Sequence, residues 1–313
     1  MSSFKARIES LSDNVVRLFV LQSFPLYVAS IFVLLRCRQT LNSPFYSICL
    51  SAGVADLCVV AHNVLTRQLP EWILPGPWFR RNEAIATVTN MGQWYFHHVQ
   101  VLGLALLSLN RFTAICMPLR HKMWEQGRRL NMLLALQWAV PSLYVWPMLF
   151  PFARSHFRHG YAVRIENALT YRAFTIVGLV CELGIYAPTL VFAYVIMFKT
   201  ALRRPRMEAE NVRKNSRSRP DTVPRRANKQ SPLALSLEVK FAVYGALLCP
   251  PYLVSCVCLV LLALQPTFNL HLGQVWRLLI YSNALFSMVN PYLLLAFSTS
   301  FRLCFRQTLC CCC

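Results

Sequence analysis

Seven apolar stretches, each near the length that crosses a bilayer, constrain this chain more than any other feature. They run over 18–35, 45–65, 84–109, 130–152, 173–198, 241–264 and 278–297. A hydrocarbon core about 30 Å thick takes about 20 apolar residues per helix. Inside it, only elements that satisfy every backbone N–H and C=O internally persist. Apolar residues make up 56% of the chain, against roughly 45–50% in a soluble domain, and their clustering excludes a soluble protein. The expected fold is all-α: an integral-membrane bundle of seven transmembrane helices over 1–297.

The basic residues fix an expected orientation. Odd-numbered loops and the tail carry 21 Lys and Arg, whereas the N-terminus and even-numbered loops carry 11. The positive-inside rule therefore puts the C-terminus in the cytoplasm and the N-terminus outside. Much of that margin comes from 199–240, which holds 12 of them. Its centre, 203–231, is rich in charge and proline and reads as a flexible third cytoplasmic loop. The net charge of +20 thus belongs to loops at a lipid surface, and nucleic acid is not an expected partner. No cleavable leader is evident ahead of the first span, so that span is expected to act as its own signal-anchor.

Thirteen cysteines do not form a disulfide framework, because none falls clearly in an outer loop where oxidation would occur. The end of the chain has its own pattern. On a helix after the seventh span, Phe301 and Phe305 form a narrow stripe flanked by Arg302 and Arg306, suited to the inner leaflet. Over 298–313, Cys304, Cys310, Cys311, Cys312 and Cys313 are candidate palmitoylation sites; the alternative is an unmodified tail.

Polar residues inside the spans need partners. Asp56 lies midway along the second span, with Gln100, Ser287 and Asn290 at similar depth. Together they suit a hydrated cluster able to hold a sodium ion, or a purely structural hydrogen-bond network. In the outer half of the third span, Gln93, His97 and Gln100 share one helix face beside Trp94. Glu182 in the fifth span needs a donor, which His97 or His98 can supply. With Tyr252, Tyr281 and Asn283 these residues outline a candidate small-ligand pocket, the alternative being polar glue between helices. Pro188, Pro250, Pro251 and Pro291 remove backbone donors and mark candidate hinges. Glycine-rich phosphate loops, zinc-protease motifs and nucleophile elbows are absent, so no enzyme and no metal centre is expected.

At the cytoplasmic end of the third span, Asn110-Arg111-Phe112-Thr113-Ala114 is followed by Pro118, His121 and Trp124. Ala55-Asp56-Leu57 and Asn290-Pro291-Tyr292 stand in the second and seventh spans. In these segments the chain resembles the nematode serpentine chemoreceptors of the Srg superfamily, and within them class V (Srv), over all seven spans. The resemblance implies a rhodopsin-like G-protein-coupled receptor in the plasma membrane of sensory cells. Its ligand would be a small molecule and its cytoplasmic partner a heterotrimeric G protein, met at Asn110 and Arg111. The departures matter: Asn110 replaces the acidic neighbour of the arginine, and Leu294 stands where a tyrosine is usual. An ion channel or transporter without G-protein coupling is the competing expectation, and a lipid-organising scaffold is a third.

Overall fold

The computed structural model describes residues 2–68, 81–117, 121, 127–158, 162–200, 232–268 and 272–310. The loop 203–231 and the last three cysteines lie outside them. Helix α1 covers Ser2–Arg36, α2 Pro44–Asn63, α3 Glu83–Cys116 and α4 Arg128–Val145. A two-stranded antiparallel hairpin follows, β1 Ser155–Arg158 with β2 Ala162–Ile165. Helix α5 begins as Ala168–Leu179, passes through a π turn at Val180–Tyr186 and continues to Thr200. Helices α6 (Pro232–Phe268), α7 (Leu272–Phe297) and α8 (Thr299–Cys310) complete the chain.

Among the described residues, five helices are long and apolar enough to cross a membrane: Pro44–Thr66, Glu83–Cys116, Arg128–Leu149, Leu169–Thr200 and Ala246–Leu264. The end of α7 and α8 form a sixth run bent by 98°, and Leu21–Arg36 is a shorter apolar helix in α1. Side chains such as Leu143, Phe192, Phe198 and Val257 face outward. In water such a surface would aggregate; in lipid it is matched. Within its apolar window α3 is 67% buried, against 22% for α4, so α3 is the central post of the bundle.

Small residues set how closely the helices pack. A Cβ on Gly103 would meet Gln137 Nε2 of α4 at 2.8 Å and the Ala52 Cβ of α2 at 3.3 Å. Polar cross-links lie at the same junction: Ser51 Oγ donates to Gln137 Oε1 (2.8 Å), and Gln137 Nε2 donates to Val99 O (3.2 Å).

Helix α6 continues through Pro250 and Pro251, and α5 departs from α-helical geometry just ahead of Pro188. There the Ala187 N–H reaches back five residues to Glu182 O. Because Pro188 has no N–H to close the next α-turn, the helix widens into a π turn, a form common at functional sites. In α8 the expected lipid-facing stripe is turned inward. Phe301, Cys304 and Thr308 are buried, with Cys37 Sγ, just after α1, 3.6 Å from Thr308 Oγ1. Cys304, only 2% exposed, is therefore not placed to carry an acyl chain. Ser298 positions α8 by accepting from Phe301 N (3.1 Å), while Arg302 caps α7 by donating to Leu295 O and Ala296 O.

Candidate functional site

The π turn of α5 decides what its end of the bundle contains. It aims Glu182 at α3, where the carboxylate is fully buried. His97 Nε2 lies 3.0 Å and His98 Nδ1 3.4 Å from Glu182 Oε1. These are charge-range contacts; neither ring nor carboxylate completes an aligned hydrogen bond in the cluster. Trp94 stacks on the His98 ring at 6.2 Å, and Tyr144 of α4 packs edge-on against it at 4.5 Å. Tyr252 of α6 donates its hydroxyl to Glu182 O (3.1 Å), so that carbonyl holds both the π turn and α6.

Two cavities of about 10 Å³ each adjoin this cluster. Gln93, Trp94, His97 and Asn283 line the first together with Leu259 and Leu279. Gln93, His97 and Asn283 also line the second, which reaches His62, Phe96 and Gln100. Each has room for about one water, far below the roughly 300 Å³ at which small-molecule pockets begin. The hairpin closes this end of the bundle: Ile165, with Ala153 just ahead of the hairpin, is buried near Trp94, and Asn90 Nδ2 donates to Ser155 Oγ (3.1 Å).

The expected pocket residues do not all meet. Gln93, Trp94, His97 and Asn283 share a cavity, with Glu182 behind His97. Tyr281 is half-buried and lines neither cavity; two positions from Asn283, it lies about 200° round the same helix. Tyr252 instead borders a separate apolar cleft of about 220 Å³ between α5 and α6, beside Leu190, Tyr194 and Cys249.

Below the cavities, Asp56 gathers the middle of the bundle. It accepts from Tyr27 of α1, Gln100 of α3 and Asn290 of α7. Gln100 Nε2 also donates to Ser287 Oγ (2.8 Å), and Tyr244 of α6 donates to Asn290 Oδ1 (2.7 Å). Asp56, Gln100, Ser287 and Asn290 are therefore together; Tyr27 and Tyr244 are members that sequence reasoning missed. With three donors already on the carboxylate, a sodium ion there would share it with them.

Toward the C-terminal end of α3, Arg111 is 9% exposed. Its guanidinium donates to Asn110 Oδ1 and sits 4.2 Å above the centre of the Phe45 ring. Phe45 in turn packs edge-on against Tyr244 at 5.8 Å. Nearby, Thr113 Oγ1 and His121 Nδ1 are 3.1 Å apart. Burial, and then the charge of Arg111, hold His121 below the usual imidazole range. Arg111 is thus held by an amide and an aromatic face in place of an acidic neighbour. The nine cysteines from Cys37 to Cys304 are free thiols.

A family model described as "Serpentine type 7TM GPCR chemoreceptor Srv" matches residues 17–311. Serpentine receptor class V-1 of Caenorhabditis elegans is 26% identical over 139 residues. That match takes in 42% of this chain and 44% of the relative, so it spans less than half the length of either protein.

Proposed function

This chain belongs to the serpentine Srv family of seven-helix chemoreceptors, and on that premise we propose that it senses a small molecule in the outer half of its bundle and signals to a heterotrimeric G protein. It does so from the plasma membrane, with its N-terminus outside and its C-terminus in the cytoplasm. The receptor family is not a family of enzymes.

The observation that supports this reading is an unbroken series of polar and aromatic contacts along the bundle. His97 and Gln100 border one cavity. Gln100 holds Asp56, Asp56 holds Asn290, and Asn290 accepts from Tyr244. Tyr244 meets Phe45, whose ring carries Arg111. A ligand that parts α3 from α5 and α7 at the outer end would disturb each member in turn. It acts only by favouring one helix arrangement over another.

In this closed arrangement the cavities admit a single water each, so ligand entry requires the hairpin or the outer helix ends to move. Sodium beside Asp56 belongs to the same reading: the ion would share the carboxylate with its donors and favour one arrangement. Lipid is the third partner, along the outward-facing apolar surface.

The test is nucleotide exchange on purified G protein, with the receptor in lipid nanodiscs and a panel of small molecules. Ligand-dependent exchange is the expected result. Ligand-evoked current across a bilayer, with no exchange by any G protein tried, would favour the channel instead.

A further inference from the structure

One buried carboxylate faces two imidazoles, and this imbalance is the least explained feature of the molecule. Glu182 can neutralise one imidazolium, His97 or His98. A second proton would leave an uncompensated positive charge in a site that is almost wholly buried, which is costly unless water enters. The other titratable groups around it are Tyr144 of α4, Cys181 and Tyr186 of α5, Tyr252 and Cys256 of α6, and His62 of α2 across the second cavity. On α7 the facing residue is Asn283, which does not titrate. Phenols and thiols are ordinarily uncharged at neutral pH, and His62 Nε2 is engaged as a donor to Thr89 O at 3.0 Å. Among the described residues, then, the charge of this cluster is set by how many protons its imidazoles hold.

Size points the same way. The cavities against His97 exclude an organic molecule but take single waters, and a water is all that proton delivery needs. Six atoms of the cluster (both ring nitrogens of His97 and of His98, and both Glu182 oxygens) are buried without a hydrogen-bond partner.

We propose that His97, His98 and Glu182 form a proton-binding site, making the hydrated proton a ligand of this receptor in its own right. A hydronium ion gives its proton to the free imidazole lone pair and leaves as water. Two imidazoliums on adjacent residues, their rings 5.7 Å apart, repel each other and draw water in, loosening α3 from the π turn of α5. Acid therefore favours the open arrangement. The inference rests on the receptor reading for its signalling consequence and for the outward placement of this end; the binding event itself is read without a G protein.

Trp94 supplies the readout, since an imidazolium quenches the indole on which it stacks. The full chain in phosphatidylcholine nanodiscs is titrated from about pH 8 to about pH 3, a window that runs well past the ordinary imidazole value of about 6.5, with indole emission recorded. Reversible quenching is expected in the wild type, absent from Trp94→Phe and His98→Gln. Glu182→Gln, which lacks the charge that favours imidazolium, moves the response to lower pH. Identical titrations for wild type, Trp94→Phe and His98→Gln would overturn the proposal. If a variant fails to fold, the shift in Glu182→Gln decides, and an unshifted response there also overturns it. Quenching as described without any nucleotide exchange leaves the proton site standing and removes the signalling reading.

Discussion

Phe45→Leu raises ligand-independent nucleotide exchange by up to about thirtyfold, while Phe45→Tyr leaves it near the wild-type level. The Arg111 guanidinium sits 4.2 Å above a buried aromatic face. A desolvated cation–π contact is worth about 2 kcal/mol, and each 1.4 kcal/mol is about tenfold in an equilibrium. If the contact exists only while Arg111 is folded against α2, losing it moves that whole amount into the balance between arrangements. Leucine keeps the apolar volume and loses the π face; tyrosine keeps the face. Equal rises in both variants would mean that Phe45 acts by packing alone. No rise in Phe45→Leu would mean that Arg111 is not restrained there.

The second large effect is on stability. Asp56→Leu leaves donors on α1, α3 and α7 (Tyr27, Gln100 and Asn290) without their shared acceptor in the middle of the bundle. Hydrogen bonds to a charged group contribute about 1.5–3 kcal/mol each in water-soluble proteins. Interhelical bonds in membranes average nearer 0.6 kcal/mol. A total loss of about 3 kcal/mol follows from values between those limits. Thermal unfolding of the detergent-purified receptor should show a clearly lowered midpoint for Asp56→Leu and a much smaller drop for Asp56→Asn, which keeps one acceptor oxygen. Equal midpoints for Asp56→Leu and wild type would mean that Asp56 does not tie these three helices together.

The polar middle of the bundle was legible because a carboxylate, two amides and a hydroxyl at one depth in hydrocarbon have little choice but each other. Asp56, Gln100, Ser287 and Asn290 follow from that rule. Tyr27 and Tyr244 escaped it, because a tyrosine has an apolar body that fits a span whether or not its hydroxyl has a partner. Glu182 could be matched to a histidine by charge alone. The reason it reaches both His97 and His98 is the π turn, whose signal in the sequence was Pro188, read there as a simple kink. Tyr281 was placed by depth without regard to direction, and the helix turned it off the cavity wall. Cys304 looked available because it lies on the helix that follows the seventh span, yet Phe301 and Thr308 of α8 pack inward with it. Phe45 carried no signal: the partner of a buried arginine whose neighbour is neutral can be any nearby π face.

Nucleotide exchange by wild-type receptor and Arg111→Ala, matched for folded protein in the same nanodiscs, tests the central claim most directly. The account predicts that an activating small molecule raises exchange through the wild type and that Arg111→Ala loses this response while still binding the ligand. Full ligand-dependent exchange through Arg111→Ala would contradict it, since the contacts from His97 to the cytoplasmic end would then finish on a residue that the G protein does not use.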